Sequence, residues 1–303
     1  MRATVVINPI AGPGRTRNIG ACSDLATTIL KAHDYDADVR ITTGPSDAYR
    51  FSSEAVVAGT DLVIAWGGDG TVNGVAAGVA SSGIPLAIIP GGSGNGLARD
   101  LALPFNPTAA LAIAAGGQTR AIDAGDLHGS LFFNVAGIGF DARIAARLAM
   151  PGARRGLVGY VLATVGELRS YEPGIYSVHD ACDAAGAALA ADIVERPALF
   201  IALANSRQYG NGAQIAPSAL LDDGMIEIVV VEPQSSLSIM RQVPALFRGT
   251  LREGPGLLMR SAASMEVSCT HPIRFHVDGE PRVGPNSIAL KTRRGALLVR
   301  VPM

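Results

Sequence analysis

The stretch Gly67-Gly68-Asp69-Gly70-Thr71 sets one carboxylate among closely spaced glycines. Glycine lets a backbone turn sharply and approach a ligand. Amide N–H groups at a strand-to-helix turn, with the helix dipole behind them, suit a phosphate. A carboxylate beside phosphate is unfavourable unless a metal or a proton transfer engages it, so the stretch reads as a phosphoryl-transfer site. Its rival is a plain Asp-Gly turn in which Asp69 caps the helix that follows. Two other stretches offer the same chemistry. Asn8-Pro9-Ile10-Ala11-Gly12 can tie a turn or orient a nucleotide, and Pro90-Gly91-Gly92-Ser93-Gly94-Asn95-Gly96 offers Ser93 and Asn95 to phosphate or ribose. Asp278-Gly279-Glu280 and Asp222-Asp223-Gly224 place acids at turns, either solvated or, in the second case, able to hold a hard cation.

Other chemistries are absent. There is no Walker A spacing, no protein-kinase catalytic loop and no His-Glu-x-x-His. His33, His128, His179, His271 and His276 have no ligand spacing and read as structural. Gly137-x-Gly139-x-x-Ala142 imitates a dinucleotide fingerprint but lacks the βαβ frame that motif needs. Cys22, Cys182 and Cys269 are far apart and read as buried free thiols of a reducing compartment. A net charge of −1 excludes a nucleic-acid binder working through a broad basic face. The apolar N-terminal run is too short for a signal peptide, and no run is long enough to span a membrane. The expected location is the cytoplasm, with peripheral contact at a membrane. Without a polybasic run that contact is expected to be weak and transient.

The elements that must carry these residues change in kind along the chain. Strands at residues 4–7, 37–42, 62–65 and 85–89 alternate with helices over 19–29, 46–58 (capped by Ser46), 97–101 and 107–115. This pattern predicts a doubly wound parallel α/β sheet with every glycine loop at the carboxyl end of a strand, where such sheets bind ligands. Beyond residue 124, turns separate short apolar runs at 131–136, 192–194, 198–204, 226–231, 265–269, 273–277, 288–291 and 296–301. They predict an antiparallel β-sandwich, interrupted by helices near 141–150, 157–170 and 237–247. The expected domains are residues 1–124, completed in part by the C-terminal tail, and residues 125–303. The helix at 157–170 is apolar enough to line an acceptor cleft or simply to pack in the core.

Taken in order, these motifs resemble the diacylglycerol kinase catalytic-domain family, which includes bacterial lipid kinases, sphingosine kinases and ceramide kinases. The resemblance runs through Asn8-Pro9-x-x-Gly12, Gly67-Gly68-Asp69-Gly70-Thr71-x-Asn73, Pro90 to Asn95 with Leu97-Ala98-Arg99, and Asn134-x-x-Gly137-x-Gly139-Phe140-Asp141. It continues through Ala204-Asn205, Ala216-Pro217-x-Ala219-x-x-Asp222-Asp223-Gly224 and Asp278-Gly279-Glu280. The resemblance implies an ATP-binding α/β domain, a β-sandwich lipid domain and ATP in the cleft between them. It implies that Gly67, Gly68, Gly70, Thr71 and Asn73 hold the ATP phosphates, helped by Asn8, Thr42, Ser93 and Asn95. Asp69 and Glu280 fall on active-site positions, and either is a candidate base. Asp141 and a basic residue after it, Arg155 or Arg154, fall where the family meets the lipid head group or phosphates. A structural Mg²⁺ would lie at Asp223, with main-chain carbonyls of Leu220 and Met225. In this sequence Gly96 stands where many bacterial diacylglycerol kinases have an aspartate of a water-and-Mg²⁺ network, so the lipid stays open between diacylglycerol and sphingoid types. Asp123 could supply a second acid. Other readings are a kinase of a soluble acceptor, such as NAD, and a non-catalytic nucleotide- or lipid-binding module. A homodimer is left open.

Overall fold

The computed structural model describes residues 1–12, 18–150, 159, 163–164, 166–167, 170–190 and 193–303. Arg154, Arg155 and most of the helix expected at 157–170 lie outside the described residues. The chain divides into two compact units, residues 1–122 with 295–303, and residues 123–294.

The first unit is built on β1 (Arg2–Ile7), β2 (Asp36–Ile41), β3 (Leu62–Gly67) and β4 (Leu86–Pro90). They pair in parallel in the order β2-β1-β3-β4. Every residue of β3 and β4 is buried, which is why these strands read as unbroken apolar runs rather than alternating ones. The connecting helices are α1 (Ile19–Ala32), α2 (Asp47–Val57), α3 (Asp69–Val79), α4 (Gly96–Asp100) and α5 (Pro107–Gly116). Helices α1 and α5 pack together, as do α2 and α3. Leu30 of α1 and Leu111 of α5 share a core with Ile64 and Trp66 of β3, all essentially without exposure. Burying each such side chain is worth about 1.5–3 kcal/mol.

One expected cap is corrected. Ser46 makes no capping hydrogen bond for α2. Asp47, the first helical residue, instead accepts from the Thr43 and Gly44 amides and the Thr43 hydroxyl. The Arg50 guanidinium, then these donors, hold the Asp47 carboxyl well below the usual carboxylate range.

The second unit carries β5 (Gln118–Leu127), which enters from the first, then β6 (Ser130–Phe132), β7 (Val135–Gly139) and α6 (Phe140–Ala149). There follow β8 (Gly174–Cys182), β9 (Arg196–Ala198), β10 (Phe200–Ala204), β11 (Gln208–Gly210), β12 (Ala213–Gln214) and β13 (Ile226–Val231). Last come α7 (Ser236–Arg248), β14 (Leu257–Ala262), β15 (Ser264–Cys269), β16 (Arg274–Val277), β17 (Glu280–Val283) and β18 (Ser287–Val301). One antiparallel sheet has the order β14-β13-β10-β7-β16-β17, and β18, β15, β8 and β9 pair in a second. Alternate residues divide between two cores. Ile201 and Leu203 of β10 and Ile228 and Val230 of β13 face the space between the sheets. Ala202, Ala204 and Val229 face the opposite way, against α6 and α7. This is the period-2 pattern of a strand buried on both faces.

Several expected strands are redrawn. The run 131–136 is two strands, β6 and β7, because Phe133 and Asn134 turn their amides to a carboxylate. The runs 288–291 and 296–301 are one strand, β18, whose last residues lie in the first unit, where Val299 pairs in parallel with Leu86 of β4. The run at 192–194 falls partly outside the described residues; β9 begins after it, at Arg196. The cysteines are half-buried rather than buried. No helix among the described residues is long and apolar enough to cross a membrane.

Candidate active site

In the first unit the strand order reverses between β1 and β3, since β1 leads to β2 on one side and β3 lies on the other. Open α/β sheets bind ligands at the carboxyl ends beside that reversal. Asn8 follows β1 there, and its Nδ2 donates to Thr71 Oγ1 at 2.9 Å across the switch point. Its Oδ1 accepts from the Ile10 amide. Thr42 follows β2 and is buried; its amide extends the ladder to the Ile7 carbonyl. Gly67, Gly68, Asp69, Gly70, Thr71 and Asn73 turn from β3 into α3.

The glycines of the two main loops are required by contact. A Cβ on Gly67 would lie 2.5 Å from Thr71 Oγ1, and one on Gly92 would lie 2.6 Å from the Gly68 Cα. The loops therefore pack backbone on backbone. Asp69 binds them together. Its Oδ2 accepts from the Asn95 amide at 2.9 Å and its Oδ1 from the Gly96 amide at 2.7 Å. Asp69 thus caps α4, not the helix α3 that it begins. Asn95 sits left-handed (φ 51) and is buried, with its side-chain amide closed on the Gly92 backbone. Ser93 is exposed at the tip of this loop. Oriented amides with a helix behind them, free of side chains, are what an anionic phosphate chain requires.

In the second unit, β16 and β17 meet in a tight hairpin with Asp278 (φ 47) and Gly279 (φ 89) both left-handed. Sequence reading leaves Asp278 solvated. Its carboxylate instead accepts from the amides of Phe133, Asn134 and Val135, at 2.9, 3.0 and 2.9 Å. Glu280, the first residue of β17, is exposed. Beside this hairpin, Asp141 on the first turn of α6 is buried and meets His276 Nε2 at 2.6 Å. His276 Nδ1 accepts from the Gly279 amide at 3.2 Å. A Cβ on Gly137 would lie 2.0 Å from Asp141 Oδ2 and 2.5 Å from His276 Nε2, so Gly137 serves this pair and not a dinucleotide. Burial alone would push the His276 pKa down, but the Asp141 carboxylate outweighs it and the pKa is raised. Sequence reading treats His276 as a lone structural histidine; the only signal was its place two residues before Asp278. Arg143, two residues along α6, is the first described basic side chain after Asp141, and it pairs with Glu167 at 2.6 Å.

The segment proposed for a metal is bound to Asp123. The buried Asp123 carboxylate accepts from the Gly224 amide at 2.7 Å, and the Asp123 amide donates to the Leu221 carbonyl. Asp223 Oδ1 accepts from the Met225 amide, and Leu220 is 57% exposed. Burial, then the charge of Asp223, raises the Glu227 pKa. Asn205 Nδ2 donates to the carbonyls of Asp123 and Phe133, while its fully buried Oδ1 has no hydrogen-bond partner among the described residues. Carboxylates, amide oxygens and main-chain carbonyls are the ligand types a hard cation takes. Among the described residues, however, no cluster of three His, Cys, Asp or Glu side chains could hold a metal alone, so main-chain carbonyls would have to contribute. Between the two sheets a cavity of about 490 Å³ is lined by Val178, Leu189, Ile193, Ile228 and Met259, with Glu227 at its edge.

Comparison with known proteins covers both units. The family described as the diacylglycerol kinase catalytic domain matches residues 2–127. The YegS C-terminal NAD kinase beta sandwich-like domain matches residues 134–300. A protein of Chromohalobacter salexigens named probable lipid kinase YegS-like is 34% identical over 270 residues, 87% of this chain and 83% of its own length. The diacylglycerol kinase of Mycobacterium tuberculosis is 31% identical over 289 residues, 92% of this chain and 88% of that one. A crystal structure of a diacylglycerol kinase from Bacillus anthracis str. Sterne has the same fold, with a TM-score of 0.73 at 20% identity over 99% of this chain and 96% of its own.

Proposed function

Because the chain belongs to the diacylglycerol kinase catalytic-domain family, we propose that it is an ATP-dependent lipid kinase. It moves the γ-phosphoryl of ATP to a hydroxyl of a diacylglycerol- or sphingoid-type lipid. The observation that carries this reading is the pair of glycine loops locked by Asp69 at the sheet's switch point. Such a cradle stabilises phosphoryl transfer by positioning and by amide dipoles that need no reorganisation.

The hydroxyl oxygen of the acceptor bonds to the γ-phosphorus as the bond to the β-phosphate oxygen breaks, and ADP leaves. The hydroxyl proton passes to a carboxylate, a contribution of about 10²–10⁴ in rate. Both oxygens of Asp69 are already engaged by amides, whereas Glu280 is exposed with no hydrogen bond among the described residues, which favours Glu280 as the base. Asp69 then acts by shaping the loop. Asp223 with the carbonyls of Leu220 and Met225 would hold Mg²⁺, which when bound supplies positive charge and rigidity to that segment. The apolar part of the acceptor is assigned to the second unit, supported by its cavity between the sheets.

A total lipid extract incubated with labelled ATP and Mg²⁺ tests the reading, because the labelled product names the acceptor. A radioactive phospholipid or sphingoid phosphate is expected. A second reading, a kinase of a soluble acceptor, is favoured by the NAD kinase-like description of the family matching 134–300. Label transferred to NAD or a sugar phosphate and to no lipid would replace the first reading by the second. Tight ATP binding without transfer to either would leave a non-catalytic module.

A further inference from the structure

Helix α7 has two unlike faces. Ile239, Ala245 and Leu246 pack on the outer core of the second unit. The opposite face carries Leu237, Met240, Val243 and Phe247, which are 59, 68, 41 and 42% exposed. At 3.6 residues per turn these positions form one stripe. Pro244 lies in it too, exposed. Scattered exposed apolar residues need no explanation, but an aligned stripe of long apolar side chains marks a contact surface.

The rim of the stripe identifies the partner. Arg241 and Arg248 are exposed at its edge, and Arg252 follows just beyond the Gly249 cap. Among the described residues none of the three is in an ion pair, whereas the neighbouring Glu253 is held by Arg260 at 2.6 Å. The helix has no acidic side chain. A second copy meeting this face across a two-fold axis would bring the same helix, which offers these arginines no acidic side chain. A partner carrying dense negative charge over an apolar layer satisfies both parts, and a bilayer with anionic head groups has that arrangement. Leu, Met and Phe enter the acyl boundary while arginine stems lie along it with their guanidinium groups among the phosphates.

We propose that the outward face of α7 docks this protein on anionic membrane surfaces, holding it where a lipid acceptor resides. This deepens the lipid-kinase reading and rests on it for its purpose, but the docking itself needs neither ATP nor acceptor.

Co-sedimentation with phosphatidylcholine vesicles, with and without phosphatidylglycerol, is the test, run in the absence of nucleotide. The wild-type chain is expected to sediment with the phosphatidylglycerol vesicles only, and to be released by salt. Each arginine near an anionic surface changes partition roughly fivefold, so Arg241→Gln with Arg248→Gln together should lower it roughly 25-fold. Met240→Asp with Phe247→Asp should abolish it. Both double variants should still unfold in one cooperative transition well above the assay temperature, since the side chains removed lie on the outward face. Equal sedimentation of wild type and variants, or equal binding to both vesicles, overturns the proposal. So does a wild-type dimer that Met240→Asp with Phe247→Asp splits in sedimentation equilibrium without any vesicle binding, which would make the stripe a self-association face. If the wild type docks as described yet phosphorylates no lipid, only the kinase reading fails.

Discussion

Replacing Asp69 by asparagine tests the lock between the two glycine loops. The substitution keeps the shape and one oxygen, which can still accept from one of the two amides. The other position becomes an NH₂ group facing a backbone N–H, Gly96 or Asn95, at the 2.7–2.9 Å now spanned by hydrogen bonds. A hydrogen bond to a charged group contributes about 1.5–3 kcal/mol, and an unsatisfied donor costs about 1–3 kcal/mol more when buried. Asp69 is only half-buried, so water relieves part of that cost, and loss of its charge at the start of α4 adds a few tenths. The expected net destabilisation is about 2–3 kcal/mol. For a unit of this size that lowers the melting temperature by roughly 3 °C per kcal/mol, or about 6–9 °C. Thermal unfolding followed by circular dichroism, alongside ATP affinity, reads the effect. ATP affinity should fall together with stability, because the lock holds in place the two glycine loops that form the cradle. A melting temperature within about 1 °C of wild type would refute the lock, and lost turnover in that case would assign Asp69 to the chemical step itself.

The other sites give separable expectations. His276→Phe removes the imidazole that meets the buried Asp141 carboxylate and should destabilise by about 3 kcal/mol. Because the folded His276 pKa is raised, the pair contributes fully below the unfolded value of about 6.5 and loses that contribution as pH rises through the folded value. The wild-type advantage over His276→Phe in urea unfolding should therefore grow as pH falls through the raised folded value toward the unfolded value of about 6.5, and a flat difference would discard the pair. Gly92→Ala drives a Cβ into the Gly68 backbone, so isothermal titration should show ATP affinity at least tenfold weaker; unchanged affinity would mean the loops need not touch. Glu280→Gln should cut turnover about 10²-fold or more with ATP affinity preserved, and wild-type rates would return the base role to Asp69. Added Mg²⁺ should raise the melting temperature of the wild type but not of Asp223→Asn, and equal shifts would move the cation elsewhere.

The local features were legible in the sequence. Buried parallel strands are unbroken apolar runs, and the turns between them are glycine-rich because no other residue permits their backbone contacts. So the α/β half, the sandwich half and the positions of the loops at strand ends follow from periodicity and residue type alone. The Asp-Gly hairpin at 278–279 is equally local. What the sequence could not reveal is which atoms the chemical residues spend on one another. Asp69 is bound to amides 26 and 27 residues away, Asp278 to amides 143–145 away, and His276 to a carboxylate 135 away. Nothing in local spacing encodes such pairs; they exist only once strands from distant parts of the chain are in register. The tertiary structure therefore decided that Asp69 and Asp278 organise loops, that Gly137 makes room for a buried pair, and that Glu280 is left exposed. It also decided the outward face of α7, because periodicity shows that a helix has two faces but only packing determines which one is left to the solvent.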